Sequence, residues 1–164
     1  EGGELKVWYE GNPWLYFVSH LPRIENVPLE VVYASSQEPR EGDAAHLTDG
    51  ETSTIWHTMY SVTLAKFPHW VDFDAASVKN MKGFIYTPRM DSYNGYVKDY
   101  EIYVSQDGKE WGEPVMKGSF EVTGEAHKVM FEKPVKARYI RFRALSEQRG
   151  NDYASGAEFG LIAE

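Results

Sequence analysis

Side chains alternate in character every two residues over short runs, and turn residues separate those runs. In Tyr100-Glu101-Ile102-Tyr103-Val104 and in Tyr139-Ile140-Arg141-Phe142-Arg143, successive side chains would point to opposite faces of a strand. Strand candidates fall at 27–34, 69–73, 82–86, 98–105, 114–120, 127–131, 137–144 and 157–162. Asn94-Gly95, Asp107-Gly108 and Lys133-Pro134 are turn signals between them. No segment sustains a helical period with caps, although 43–47 could close one short helical turn. Many short strands at such spacing predict an all-β sandwich or jelly roll.

The aromatic share of 15% suits strands, and aromatic rings also serve as platforms for flat apolar ligand faces. The core is expected to hold Trp56, Phe84, Tyr100, Ile102, Val104, Ile140 and Phe142. A chain of 164 residues is long enough for one ordinary domain. Residues 1–26 differ from the rest: Trp8, Tyr9, Trp14, Tyr16 and Phe17 crowd around a Gly11-Asn12-Pro13 turn signal. They read as a strand-rich extension or the remnant of a preceding module, with the sandwich at 27–164.

The net charge of −8 offers no basic footprint for nucleic acid or for an anionic membrane. Arg138, Arg141 and Arg143 are spaced as the outer face of a strand. No cysteine is present, which excludes disulfides and thiolate zinc sites. No apolar run approaches the roughly 20 residues that span a bilayer.

Residues 35–55 form a long polar stretch, and a loop of this length is usually functional. Within it Asp49, Glu51 and Thr54 place oxygen donors around Gly50, the donor type that calcium requires. The same residues also suit an ordinary turn, and the spacing is not that of an EF-hand. Downstream, His57 and Tyr60 follow the loop, Arg89 and Asn94 lie between two strands, and 148–155 carries Asn151, Asp152 and Tyr153. Each has a structural alternative: a packed histidine, an Arg89–Asp91 surface pair, a hairpin turn at Asn94-Gly95, half-buried tyrosines.

Taken in order, these pieces form a pattern: Asp49-Gly50, Thr54-Ile55-Trp56-His57-Thr58, Gly83-Phe84, Tyr86-Thr87-Pro88-Arg89, Lys98 through Gly108 with Trp111, Arg138-Tyr139-Ile140-Arg141, and Ala157-Glu158-Phe159. The pattern resembles the discoidin-like (coagulation factor type C) domains, and within them the family 32 carbohydrate-binding modules of bacterial glycan-degrading proteins. The resemblance covers about residues 30–163. It implies an eight-stranded antiparallel jelly-roll sandwich and a structural calcium. Its ligands would be the carbonyls of His46 and Ala157 with Asp49, Glu51, Thr54 and Glu158; Glu51 stands where Asp or Asn is more usual.

For the sugar, the resemblance implies that His57, Arg89 and Asn94 grip the hydroxyls of galactose or N-acetylgalactosamine, with Tyr60 and Tyr153 as aromatic walls. It further implies a non-catalytic, monomeric module outside the cytoplasm or on the cell surface. That module would retain a covalently linked glycoside hydrolase or surface protein on glycans. Three other readings stand beside it: a protein- or membrane-adhesion module, an inert spacer, and a hydrolase using Asp91 and Asp152.

Overall fold

The computed structural model describes residues 25–164, so the tyrosine- and tryptophan-rich extension falls almost entirely outside the described residues. Among the described residues nine strands form: β1 (Glu25–Val27), β2 (Glu30–Ala34), β3 (Trp56–His57), β4 (His69–Thr87), β5 (Asp99–Ser105), β6 (Met116–Ser119), β7 (His127–Ala144), β8 (Ser155–Gly156) and β9 (Glu158–Ala163). A 3₁₀ turn at Ala44–Thr48 is capped by the Asp43 side chain, which accepts the Ala45 N–H. This is the helical turn expected near 43–47.

Two long strands generate the sandwich. The first part of β4 lies between β2 (Ala34↔Val71) and the last part of β7 (His69↔Ala144), and β5 and β6 extend that layer. The last part of β4 lies between β9 (Thr87↔Glu158) and the first part of β7 (Tyr86↔His127), and β1 adds to β9 at the edge. The β4–β7 ladder breaks between Asp74 and Lys79. There Ala76 adopts a left-handed φ of 63° and donates its N–H to Asp74. Each long strand thus serves both layers, as strands do at the corners of sandwiches.

Aromatic rings from the two layers meet in the middle. Phe73 stacks on Phe159 at 4.6 Å, and Phe84 lies 6.3 Å from Phe142. Trp56, Phe73, Phe84, Ile102, Ile140 and Phe142 are fully buried, each contributing about 1.5–3 kcal/mol by leaving water. Val104, at the edge of this cluster, is only half-buried.

The antiparallel all-β architecture is the expected one, while among the described residues several strand bounds differ from those expected. Segments 69–73 and 82–86 are one strand, as are 127–131 and 137–144, while β1, β3 and β8 are additional. Lys133-Pro134 makes no turn; it lies inside β7. Pro134 sits where the register shifts between Met81 and Gly83, so the ladder does not need the N–H it lacks. On the outer face Arg141 pairs with Asp72 through two bonds of 2.6 and 2.8 Å, and Arg138 pairs with Asp74. The arginines therefore serve neighbouring strands.

Candidate functional site

Four loops meet at one end of the sandwich around a cleft of about 630 Å³. Its walls include His57, Tyr60, Arg89, Asn94 and Tyr153, together with Glu41. His57 ends β3, and Tyr60 follows it. Arg89 and Asn94 lie between β4 and β5, and Tyr153 lies between β7 and β8. All five residues singled out for sugar contact thus face a single hollow.

Backbone pairing explains why His57 stands there. The Glu38–Gly42 turn clamps it: Glu38 N donates to the His57 carbonyl at 2.7 Å, and His57 N donates to the Gly42 carbonyl at 3.3 Å. A Cβ on Gly42 would lie 2.7 Å from the His57 carbonyl, so only glycine permits this approach. The Glu38 side chain, 4% exposed, accepts the N–H groups of Tyr60 and Ser61 at 2.7 and 3.0 Å and the Ser61 hydroxyl. One buried carboxylate therefore fixes the segment that presents Tyr60.

The opposite wall is built on a second buried carboxylate. Glu147, 2% exposed, accepts the N–H groups of Arg149 (2.7 Å), Asn151 (3.0 Å) and Gly95 (3.3 Å). Gly95 has φ 82°, and its carbonyl accepts the Ser155 N–H while the Asn94 carbonyl accepts the Ser155 hydroxyl. Asn94 is thus held through its backbone, leaving its side-chain amide out of the anchoring. His69 completes the support, its Nε2 donating to the Asp152 carbonyl at 2.7 Å next to Tyr153.

The chemistry of His57 follows from one bond. Its Nδ1 lies 2.6 Å from the Thr58 carbonyl. A carbonyl only accepts, so Nδ1 carries the proton and Nε2 is left as an acceptor. Burial pushes the imidazole below its usual range; the Thr58 bond opposes this and the nearby Arg89 cation adds to it. His57 is therefore a neutral acceptor at neutral pH.

Arg89 pairs with Asp91 through Nε and Nη2, both at 2.8 Å. The surface pair weighed as an alternative to ligand contact does form. It locks the fork within the cleft and leaves Nη1 as a donor. Tyr60 and Tyr153 flank the imidazole, with ring centroids 5.0 and 5.3 Å away. The Tyr60 hydroxyl donates to Glu41.

Glu41, Glu38 and Glu147 escaped the sequence reading. Their partners lie at separations such as 19 and 52 residues, and a lone glutamate near a turn has no local signature. The long polar stretch 35–55 was the one available pointer to Glu38 and Glu41.

The proposed cation ligands occupy a neighbouring corner. Asp49 accepts the Thr54 hydroxyl at 2.7 Å and the Glu51 N–H at 2.8 Å, while the Glu51 carbonyl lies 2.8 Å from the same hydroxyl. Glu158 reaches in from β9, and its Oε1 is buried without a hydrogen-bond partner. Burial, and next its hydrogen bond to Asp49 and that residue's charge, push the Glu158 carboxyl up to about 7. For Asp49, burial acts upward, but bonds from Thr54 and the Glu51 N–H outweigh it and hold the carboxyl below its ordinary range.

Ala157 is pinned by its N–H to the Thr87 carbonyl at 2.8 Å. The His46 ring lies 2.8 Å from the Ile55 carbonyl through Nδ1 and lines the main cleft. Among the described residues no group of three or more His, Cys, Asp or Glu side chains gathers as a metal centre. The corner has two carboxylates, and its other oxygens are neutral.

The fold is the antiparallel β-sandwich of galactose-binding-like domains, with loops clustered at one end. Within it, the chain belongs to the F5/8 type C domain family, whose model matches residues 31–159. A sialidase from Micromonospora viridifaciens is 36% identical over 152 residues, 90% of this chain and 23% of that protein. A galactose oxidase from Gibberella zeae is 36% identical over 117 residues, 70% of this chain and 17% of its own length. The chain therefore spans less than a quarter of either curated relative.

Among solved structures, a family 32 carbohydrate-binding module from Clostridium perfringens, in complex with GalNAc-β-1,3-galactose, superposes with a TM-score of 0.78 at 28% identity, over 85% of this chain and 100% of that one. Another such module, from a family 31 glycoside hydrolase of the same organism, gives 0.76 at 31% identity, over 84% and 92%. The chain is close to the carbohydrate-binding modules of glycoside hydrolases.

Proposed function

We propose that this domain is a non-catalytic module that binds terminal galactose or N-acetylgalactosamine and retains a linked glycoside hydrolase or surface protein on glycans outside the cell. The observation that carries the reading is the convergence of the neutral His57 acceptor, the Arg89 fork, the Asn94 amide and two tyrosine rings on one cleft. Nε2 of His57 and Nη1 of Arg89 suit adjacent hydroxyls of a pyranose, and an axial hydroxyl accepted by His57 would separate galactose from glucose. The rings suit its C–H face.

Hydrolysis fits poorly. Asp91 is held ionised by the Arg89 cation beside it, which disqualifies it as a proton donor. A calcium ion at Asp49 and Glu158, aided by the carbonyls of His46, Glu51 and Ala157 and by Thr54, would neutralise the orphaned Glu158 oxygen and tie the early loop to β9.

Calorimetric titration tests the sugar reading. Galactose and N-acetylgalactosamine should bind with Kd on the order of 0.1–1 mM, about −4 to −5.5 kcal/mol. Arg89→Ala should abolish binding without lowering Tm, because the lost ion pair is largely exposed on the Asp91 side. Absence of binding even to multivalent galactosides would leave a spacer or adhesion role as the better account.

A further inference from the structure

The β4–β5 loop carries more than Arg89 and Asn94. Between them Tyr93 stands 63% exposed, with Met90 and Val122 each 69% exposed nearby. Tyr93 is propped: its ring centroid lies 5.4 Å from that of Tyr96, which is 5% exposed and donates its hydroxyl to the Arg89 carbonyl at 2.8 Å. Two shallow hollows of about 270 and 320 Å³ border Tyr93. The first shares Asp91 with the main cleft, and the second runs on to Val122, Gln148 and Arg149.

We propose that Tyr93 and Arg149 form a second subsite, which takes the penultimate sugar of the glycan whose terminal residue fills the cleft. This inference rests on the sugar-binding reading above and names its substrate as a chain of at least two residues. Continuity is the main argument: the hollow beside Tyr93 shares Asp91 with the cleft, so a sugar bonded to the occupant of the cleft has a contiguous path to the Tyr93 ring. The chemistry agrees. An exposed, propped aromatic face suits pyranose C–H groups, and the Arg149 guanidinium provides donors for hydroxyls. Gln148 spends its amide nitrogen on the carbonyls of Val97 and Phe120, which leaves its oxygen as an acceptor. An anionic lipid surface is a poor occupant, because Arg149 is the one basic residue lining either hollow and the chain carries a net charge of −8.

The test compares galactose with disaccharides ending in β1,3-, β1,4- and β1,6-linked galactose or N-acetylgalactosamine. Wild type, Tyr93→Ala and Tyr93→Phe are each titrated. At least one disaccharide should bind wild type about 5- to 10-fold tighter than galactose, a gain that needs no more than one added stacking contact. Tyr93→Ala should erase that gain and leave the affinity for galactose unchanged, while Tyr93→Phe keeps it. If no disaccharide exceeds galactose, or if Tyr93→Ala weakens both ligands equally, the subsite is refuted while the terminal-sugar reading survives. Failure of galactose itself to bind would sink both together.

Discussion

Two kinds of carboxylate support this domain's loops, and they behave oppositely. Glu38 and Glu147 are surrounded by backbone N–H groups that point at them. Burial acts to raise the Glu38 carboxyl, yet the bonds from Ser61 and Tyr60 outweigh it and hold the group below its ordinary range. Glu158, less than one strand away from the same loops, has one oxygen without any partner and is pushed up to about 7. An anion met by donors organises a loop unaided. An anion met by another carboxylate stays protonated or takes a cation.

The largest effect should come from emptying a satisfied site. Glu147→Ala strands the N–H groups of Gly95, Arg149 and Asn151 and should cost about 2–4 kcal/mol in urea unfolding. Galactose affinity should fall with it, since Asn94 and the 148–151 segment lose a common anchor. A variant as stable as wild type would break the contrast.

Next comes removal of the proposed calcium. Chelation should lower stability by about 2.7 kcal/mol relative to protein held at 100 times Kd, read as a fall in Tm. An unchanged Tm would mean that the Asp49–Glu158 corner is a proton-sharing pair and nothing more.

Glu158→Gln sharpens the same point at smaller scale. In chelator, near pH 8, the variant should be more stable than wild type by about 1 kcal/mol. Without a cation the raised Glu158 group contributes stability while protonated and loses that contribution as pH rises through about 7. With calcium the order should reverse.

The smallest effect concerns His57. Because its pKa is depressed, the ring stays neutral across the neutral range, so galactose affinity should change by less than about twofold between pH 8 and 6.5. It should fall only in more acidic buffer, where protonation removes the Nε2 acceptor. Affinity that declines steadily from pH 8 would show that the imidazole is not shielded as described.

The sequence made the sandwich legible through alternation, while the cleft residues were picked out by the resemblance to the family 32 modules, on loops that lie at one end of the fold. His57, Tyr60, Arg89 and Asn94 sit beside recognisable punctuation, at a strand end or an Asn-Gly turn. Tyr153 was reachable through its polar loop. What stayed hidden was the support beneath them. Glu38 and Glu147 act through backbone groups of other loops, a relation without periodicity or composition of its own. Pro134 misled for a related reason: a proline breaks a strand only where the ladder needs its N–H, and register is a property of two strands at once.

The pairing of Glu25 with Ala163 places both ends of the sandwich side by side at one corner. β9 starts at Glu158, opposite Thr87, where the chain leaves for the cleft loops, and runs about 20 Å to that corner. The described residues therefore begin and end at one edge, at the end of β9 away from the cleft.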